Sequence, residues 1–228
     1  MKKIKNKLFV IEGGDGAGKG TQTILLADKI RYLGHTVTIF DFPQYEISCF
    51  GKLCGESLKG LHGDFKTMSP YIASLPYMLD RLTAKEKIDE ALKKGIVLCN
   101  RYTPSNVAFQ SSKLSGKKKK EFILFLENAE YEVLGLPKPN KVIYLYVSPK
   151  IASKLVSQKD IRNHLGKKKG VKDQYEKDSA FQSAVVKTYI SLSKERNDWV
   201  MINCTPKNIL LSREEIHNKI LENIKELS

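Results

Sequence analysis

The stretch Phe9-Val10-Ile11-Glu12-Gly13-Gly14-Asp15-Gly16-Ala17-Gly18-Lys19-Gly20-Thr21 decides the fold, because an apolar strand runs into a glycine-rich turn that opens a helix. A phosphate-binding P-loop requires this order of elements. Glycines let successive backbone N–H groups point at phosphate oxygens, and the helix N-terminus adds a favourable field. The stretch therefore predicts a P-loop over residues 13–20, with Lys19 as the positive charge on the β- and γ-phosphates.

The strict P-loop pattern places Ser or Thr directly after the lysine, where its hydroxyl binds Mg²⁺. Here Gly20 intervenes and Thr21 carries the hydroxyl, so Thr21 is the candidate metal ligand in this stretch. The predicted ATP-binding residues are Gly13, Gly14, Asp15, Gly16, Ala17, Gly18, Lys19, Gly20 and Thr21.

Five apolar runs rich in β-branched residues predict buried strands, and helical patterns fill the intervals between them. The runs are residues 8–11, 36–40, 96–99, 142–147 and 199–202, and the helical patterns are 22–33, 69–95, 117–134, 149–156, 173–194 and 212–227. Pro76 is expected to kink or interrupt the second helix. The alternation predicts an α/β fold, a five-stranded parallel sheet flanked by helices. No linker or repeat divides the chain, so we expect residues 1–228 to form one domain.

The segment Ser157 to Lys172 (SQKDIRNHLGKKKGVK) departs from this rhythm, with little apolar periodicity, two glycines and many basic residues. A solvated surface loop accounts for such a composition. Its place after the fourth strand and between two helices favours a short basic lid over about residues 157–172.

The chain has 228 residues, with 39 Lys plus Arg against 25 Asp plus Glu, and a formal charge of +14. Such a charge fits nucleic acid, a membrane surface or small anions. Only six of the basic residues are Arg, and the scattered Lys are typical of solvated helix faces. No nucleic-acid motif is present, and no run approaches the roughly 20 apolar residues of a membrane helix. We therefore expect neither nucleic acid nor a membrane as a partner.

The four cysteines form no CxxC pair, which indicates a reduced, cytoplasmic protein. Among nucleotide-binding classes, a GTPase would carry a base-reading Asn-Lys-x-Asp motif, and none is found; Lys138-Pro139-Asn140-Lys141 is only a loop. The basic lid instead suits a phosphoryl transfer that is shielded from water.

Several blocks, in this order, give the chain its family resemblance: residues 9–19, Phe42-Pro43-Gln44-Tyr45, Phe50-Gly51-Lys52-Leu53, Leu79-Asp80-Arg81, residues 100–110 (NRYTPSNVAFQ) and Asp173-Gln174-Tyr175-Glu176. Together they resemble the thymidylate kinase family of P-loop nucleoside-monophosphate kinases. The resemblance implies transfer of a phosphoryl group from ATP to dTMP with Mg²⁺, giving ADP and dTDP for dTTP synthesis. It also implies a homodimer formed through helices away from the site.

The resemblance assigns roles to residues around the acceptor phosphate. Asp15 matches a carboxylate that contacts the acceptor's sugar hydroxyl and helps to hold its phosphate site. Phe42 and Tyr45 match residues against the sugar and phosphate, and Arg101 matches the arginine that bridges the acceptor and donor phosphates. The implied catalytic residues are Lys19, Arg101, Arg162 and Asp15.

Other matched residues surround the nucleoside. Tyr77 and Arg81 lie four apart on one helical face, where the family stacks an aromatic ring on thymine and reads the base edge with Arg; core packing beside Pro76 would also explain Tyr77. Phe109 matches an aromatic near C2′ that favours deoxyribose. The implied dTMP-binding residues are Asp15, Phe42, Tyr45, Leu58, Tyr77, Arg81, Arg101, Asn106, Phe109, Gln110 and Tyr175.

Two positions depart from the family pattern. Asn100 stands where the family usually has Asp, which is thought to support Mg²⁺ through water; an amide oxygen can still bind a metal-bound water but brings no charge. Gly16 stands where some members have an arginine for the transferring phosphate, and members with Gly use a basic residue of the lid. Arg162 is the lid's only arginine and is our candidate, with residues 167–169 as substitutes.

Three alternatives stay open at this point. The acceptor could be another pyrimidine deoxynucleotide, such as dUMP. Asn100 leaves room for a nucleotide-binding protein with weak catalysis, and the charge alone leaves room for nucleic-acid binding.

Overall fold

A computed structural model describes residues 4–64, 67–157 and 178–224. A five-stranded sheet forms its centre, in the order β2-β3-β1-β4-β5, and every pair of neighbouring strands is parallel. The strands are β1 (Lys7–Gly13), β2 (Val37–Asp41), β3 (Ile96–Asn100), β4 (Lys141–Tyr146) and β5 (Trp199–Asn203). The predicted α/β fold with five parallel strands is thus confirmed.

Eight α-helices are present in the described part of the chain. They are α1 (Lys19–Tyr32), α2 (Cys49–Lys59), α3 (Pro70–Lys94), α4 (Thr103–Ser111), α5 (Gly116–Glu127), α6 (Pro149–Ser157), α7 (Ser179–Glu195) and α8 (Arg213–Glu222). A π-helical turn, Asn128–Val133, follows α5, and a 3₁₀ turn, Pro206–Asn208, precedes α8. The helices pack on both faces of the sheet because parallel strands are apolar on both sides.

The central strands are buried because the sheet separates two apolar cores. One contains Val10, Val97 and Tyr144 and packs against α3, α4, α5 and α7. The other contains Ile11, Leu98 and Ile143 and packs against α1 and α8. Neighbouring residues of one strand point to opposite faces, so each strand supplies both cores. The carboxyl ends of β1, β2 and β3 therefore meet at one edge of a rigid sheet.

Several helices differ from those predicted from the sequence. α1 begins at Lys19 rather than at residue 22, because the P-loop passes directly into the helix. α3 continues through Pro76 without interruption, since the side chains it buries on both sides of the proline outweigh one lost hydrogen bond. Helix α5 ends at Glu127 and gives way to the π turn. Neither α2 nor α4 is predicted by the sequence pattern.

Three expectations fall on parts of the chain that are not described. The predicted lid over 157–172 lies outside the described residues except for its first residue. Arg162 and Tyr175 also lie outside them. The proposed roles of these residues stay predictions.

Candidate active site

The P-loop joins β1 to α1 at the carboxyl edge of the sheet. Gly16 and Gly18 have φ angles of 80° and 82°, in the left-handed region that favours glycine, and Gly18 is the N-cap of α1. Lys19 Nζ donates a hydrogen bond of 2.8 Å to the Gly14 carbonyl, so the ammonium group lies back over the loop. The loop thus combines a helix N-terminus with a fixed positive charge, which is the arrangement that binds phosphate.

Beneath the P-loop, Glu12 is completely buried in β1. Its carboxylate accepts hydrogen bonds from the Tyr102 backbone N–H at 3.0 Å, the Ser105 hydroxyl at 2.6 Å and the Tyr189 hydroxyl at 2.9 Å. Burial and the Glu12 charge raise the pKa of Tyr189 well above its usual value, which keeps the phenol protonated as a donor. Glu12 therefore ties β1 to α4 and α7. In the sequence, this role of Glu12 is indicated by the presence of a single carboxylate in an apolar strand.

Arg101 follows β3 with a left-handed φ of 64°, which is rare for a residue other than glycine. Its Nη2 donates to Asp15 Oδ1 at 2.8 Å, its Nη1 donates to Ser105 Oγ at 3.3 Å, and its guanidinium carbon lies 5.4 Å from the centroid of the Phe109 ring. Burial lowers the pKa of Arg101, but Asp15, together with Tyr189, Glu12 and Tyr45, outweighs burial and the pKa rises. Arg101 is therefore a permanent cation held beside the P-loop.

One cavity of about 820 Å³ opens at this edge of the sheet and contains most of the predicted site. P-loop residues 15–21 line it on one side. Every predicted acceptor residue that the structure describes also lines it: Asp15, Phe42, Tyr45, Leu58, Tyr77, Arg81, Arg101, Asn106, Phe109 and Gln110. The sequence thus located residues that are far apart in the chain and share one cavity.

The acceptor side of this cavity has an apolar wall. Leu58 of α2 belongs to a cluster with Tyr45, Tyr77 and Phe109. Phe181 of α7 belongs to the same cluster, with its ring centroid 6.3 Å from that of Phe109, and no sequence motif pointed to it. Of these rings, Tyr45, Tyr77 and Phe109 line the cavity itself, where a flat, partly apolar group can pack.

Arg81 is only 2% exposed, and its guanidinium faces a partner that the sequence did not indicate. Its Nε and Nη2 donate bidentate hydrogen bonds of 2.6 Å to the carboxylate of Glu130, in the π turn after α5. Thr103 Oγ1 donates to the same carboxylate at 2.7 Å. Burial alone would lower the pKa of Arg81, yet Glu130 raises it. The ion pair fixes Arg81 in the cavity wall.

Asn106 of α4 is 3% exposed and leaves one acceptor open. Its amide Nδ2 donates to the Ser74 carbonyl and to Glu130 Oε1, both at 3.2 Å, so the side-chain orientation is fixed. Its Oδ1 is buried and accepts no hydrogen bond within the described part of the protein. A buried acceptor without a protein partner is costly unless a ligand satisfies it, and Asn106 lines the cavity.

Asn100, at the end of β3, fits a role beside a metal. Its Oδ1 is buried with no protein partner among the described residues, and its side chain lies opposite the first turn of α1, which carries Thr21. Among the described residues, no group of three or more His, Cys, Asp or Glu side chains is placed to hold a metal. Mg²⁺ needs no such cage, since it is held by one or two protein oxygens, water and substrate phosphates.

The cavity extends past the P-loop to a second end that the sequence did not identify. The residues there come from α6, from the segment before α8 and from α8: Leu155, Leu210, Leu211, Arg213 and Ile216. Gln22 of α1 donates a hydrogen bond of 2.9 Å to the Arg213 carbonyl, which joins this end to the P-loop helix. The phosphate-binding loop therefore lies between two side-chain walls.

A P-loop on a parallel sheet, with a binding wall on either side and an arginine between them, defines the class of P-loop phosphotransferases. A statistical model of the thymidylate kinase family matches residues 11–220. The chain belongs to the thymidylate kinase family. The predicted family and enzyme class, a nucleoside-monophosphate kinase, are confirmed.

Individual relatives agree with this assignment. The chain is 32% identical over 190 residues to the thymidylate kinase of Mycobacterium tuberculosis, covering 82% of this chain and 86% of that one. It is also 32% identical over 227 residues to a probable thymidylate kinase of Methanocaldococcus jannaschii, covering 98% of each. The structure of thymidylate kinase from Candida albicans shares the fold, with a TM-score of 0.72 at 21% identity, covering 100% of this chain and 96% of that one.

The Arg81–Glu130 pair yields a prediction about stability. Replacement Glu130→Gln leaves the buried Arg81 charge without its counter-charge, and we expect a loss of about 3 kcal/mol of unfolding free energy. The matched control is Glu127→Gln, because Glu127 pairs with Arg196 at side-chain exposures of 22% and 27%. That change is expected to cost less than about 1 kcal/mol. Urea denaturation followed by circular dichroism measures both, and equal costs would contradict the assignment.

Proposed function

We propose that the protein transfers the γ-phosphoryl group of ATP to dTMP, giving ADP and dTDP for the synthesis of dTTP. The observation that carries this proposal is the one cavity lined by the P-loop and by the aromatic acceptor wall, in which Arg101 contacts both Asp15 and Phe109. Phosphoryl transfer needs little covalent chemistry from the protein, so alignment and charge stabilisation supply most of the rate. This arrangement supports both the alignment of the substrates and the stabilisation of charge.

The donor side is assigned to the P-loop. The backbone N–H groups of residues 13–20 and the Lys19 ammonium bind the phosphates of ATP. We assign its adenosine to the wall formed by α6, the segment before α8 and α8, because this wall lines the same cavity as the P-loop and is joined to α1 by the Gln22–Arg213 hydrogen bond. Leu210, Leu211 and Ile216 offer the apolar surface that a purine ring requires.

The acceptor side is assigned to the aromatic wall. Thymine packs on Tyr77, and the open Oδ1 of Asn106 accepts a hydrogen bond from the base, whose N3–H is a donor. Phe109 faces C2′ and leaves little room for a 2′-hydroxyl. Arg101 stands between the two phosphates, and Asp15 both holds Arg101 and meets the sugar hydroxyl. Arg81 and Gln110 complete the base pocket, with Phe42, Tyr45 and Leu58 around the sugar and phosphate.

The catalytic cations of this proposal are Lys19, Arg101 and Arg162. Lys19 and Arg101 are held by hydrogen bonds at the edge of the sheet, whereas Arg162 is proposed from the sequence alone. An arginine near the transferring phosphate is worth several powers of ten in rate. Tyr175 is proposed to close over the acceptor. Mg²⁺ supplies charge neutralisation between the phosphates when bound, with Thr21 as ligand and Asn100 acting through a water.

The setting of the reaction is proposed to be the cytoplasm. All four cysteines are free thiols, with Cys49 exposed and the other three buried, as suits a reducing compartment. Within the described ranges, no helix has the length and apolar character needed to cross a membrane. The proposed partners are ATP and dTMP, with no role for nucleic acid or a membrane.

A panel of nucleoside monophosphates tests the proposed function. ADP release is measured by a coupled assay with ATP and Mg²⁺ against dTMP, dUMP, dCMP, dAMP, dGMP and the ribose analogue of dTMP. We expect dTMP to have the highest kcat/KM, about tenfold or more above dUMP, because packing of one methyl group discriminates by that order. No turnover of dTMP would refute the proposal, and equal turnover of dUMP would assign a broader pyrimidine deoxynucleotide kinase.

We also propose a homodimer, formed through helices α3 and α5. Tyr71 is 40% exposed and its ring centroid lies 5.0 Å from that of Phe125, which is 43% exposed, so the two helices share one aromatic patch. Ile72 and Leu75 extend the patch along α3, at exposures of 54% and 41%. An apolar surface of this kind on a basic protein is typical of an interface between copies of the chain.

The patch predicts the result of a charge substitution. Replacement Ile72→Glu places a charge inside the proposed interface, and we expect it to convert the dimer into a monomer. The control Tyr32→Glu changes another exposed side chain, on α1 and at 84% exposure, and is expected to stay dimeric. Light scattering on a sizing column gives the mass of each form. A monomeric wild type, or a dimeric Ile72→Glu variant, would contradict this interface.

A further inference from the structure

Two departures, one from the strict P-loop pattern and one from the family pattern, lie next to each other in the structure. Gly20 replaces the hydroxyl residue after the P-loop lysine, and Asn100 replaces the usual aspartate at the end of β3. A Cβ built on Gly20 would have Asn100 Nδ2 as its neighbour, at 3.9 Å. The chain therefore has neither a hydroxyl nor a negative charge at this pair of positions, where both would be expected to serve the metal.

A carboxylate lies directly next to Asn100. Asp41 is the last residue of β2 and pairs with Asn100 across the β2–β3 ladder. Asn100 Nδ2 donates a hydrogen bond of 2.9 Å to Asp41 Oδ1, and both residues line the cavity. This bond fixes the amide so that its Oδ1 is the atom left without a protein partner among the described residues. The Asp41 carboxylate is thus hydrogen-bonded to an amide group whose Nδ2 lies beside the first turn of α1.

We propose that Asp41 supplies the negative charge that holds the metal ion of bound ATP, acting through a metal-bound water together with Asn100. The carboxylate would have moved one strand outward, from the end of β3 to the end of β2. This inference rests on the proposed function, because the metal arrives with the nucleotide. Contact through water suits Mg²⁺, which dehydrates reluctantly and keeps several waters in nucleotide sites.

The local electrostatics favour this role over an incidental surface charge. Asp41 feels the positive charges of Arg101 and Lys19, the two cations that the site directs at phosphates. Asp41 is exposed at the end of β2, so its carboxylate is accessible to a metal-bound water. A carboxylate so close to a polyphosphate repels it when no cation lies between them. Asp41 should therefore weaken the binding of metal-free nucleotide and strengthen the binding of metal-bound nucleotide.

The test uses these opposite effects of Asp41 on the binding of nucleotide with and without a metal ion. The dissociation constant of a non-hydrolysable ATP analogue is measured by calorimetry, once with saturating Mn²⁺ and once in EDTA. For Asp41→Asn we expect binding with Mn²⁺ to weaken about tenfold or more, the usual cost of losing a residue that acts around a metal. Binding in EDTA is expected to stay unchanged or to become tighter. A merely structural effect would weaken both.

Two further variants sharpen the comparison. The exchange Asp41→Asn with Asn100→Asp returns the carboxylate to β3 and is expected to bring the Mn²⁺ value back to within about threefold of wild type, since one charge is again present. The control Asp28→Asn removes an equal charge from an exposed pair with Arg31 on α1 and should leave both constants unchanged. Thermal melting of each variant checks that it is folded.

The outcomes separate this inference from the proposed function. An Asp41→Asn variant with wild-type affinity in Mn²⁺, in a protein that phosphorylates dTMP, overturns the inference alone. A change in the affinity for dTMP in place of the Mn²⁺ effect also overturns it, because Asp41 would then serve the acceptor. If wild type does not phosphorylate dTMP but the Mn²⁺ contrast is present, the inference holds and the proposed function fails.

Discussion

The ion pair between Asp15 and Arg101 is the interaction on which the rest of the site depends. It joins the P-loop, which follows β1, to the turn that follows β3, and so sets the distance between the donor and acceptor sides of the cavity. Arg101 adopts a left-handed backbone to reach it. Such a conformation persists only when the surroundings enforce it. Here Asp15, Ser105 and the Phe109 ring hold the guanidinium on three sides.

Two buried carboxylates hold together the elements that surround this ion pair. Glu12 binds α4 and α7 to the strand under the P-loop, and Glu130 binds Arg81, Thr103 and Asn106 under the acceptor wall. Each is fully buried, and each has several donors. Satisfied buried networks of this kind fix one arrangement of their members. The site is therefore rigid at its base, while its two substrate walls come from helices and connecting segments.

The sequence predicted the parts of the molecule that local patterns encode. All five strands and the P-loop followed from apolar runs and glycine spacing, and the residues proposed to bind the acceptor followed from family blocks. The partner of Arg81 could not be found in this way, because Glu130 lies 49 positions away in a turn without a recognisable motif. Helix α2 buries two glycines and a serine beside Cys54 and Leu58, so the sequence pattern did not reveal it. Phe181 packs near Phe109 only because of the position of α7. A role for Asp41 could be inferred only from the strand register, which pairs it with Asn100.

A crystal structure with thymidine and adenosine joined by a chain of phosphates tests the central claim most directly, because this ligand fills both sides at once. The account predicts that thymine packs on Tyr77 and that adenosine lies by Leu210. Its phosphates should lie on the P-loop, with the Arg101 guanidinium bonded to the bridging phosphate. A thymine bound at the α8 end, or an Arg101 that contacts no phosphate, would contradict the account.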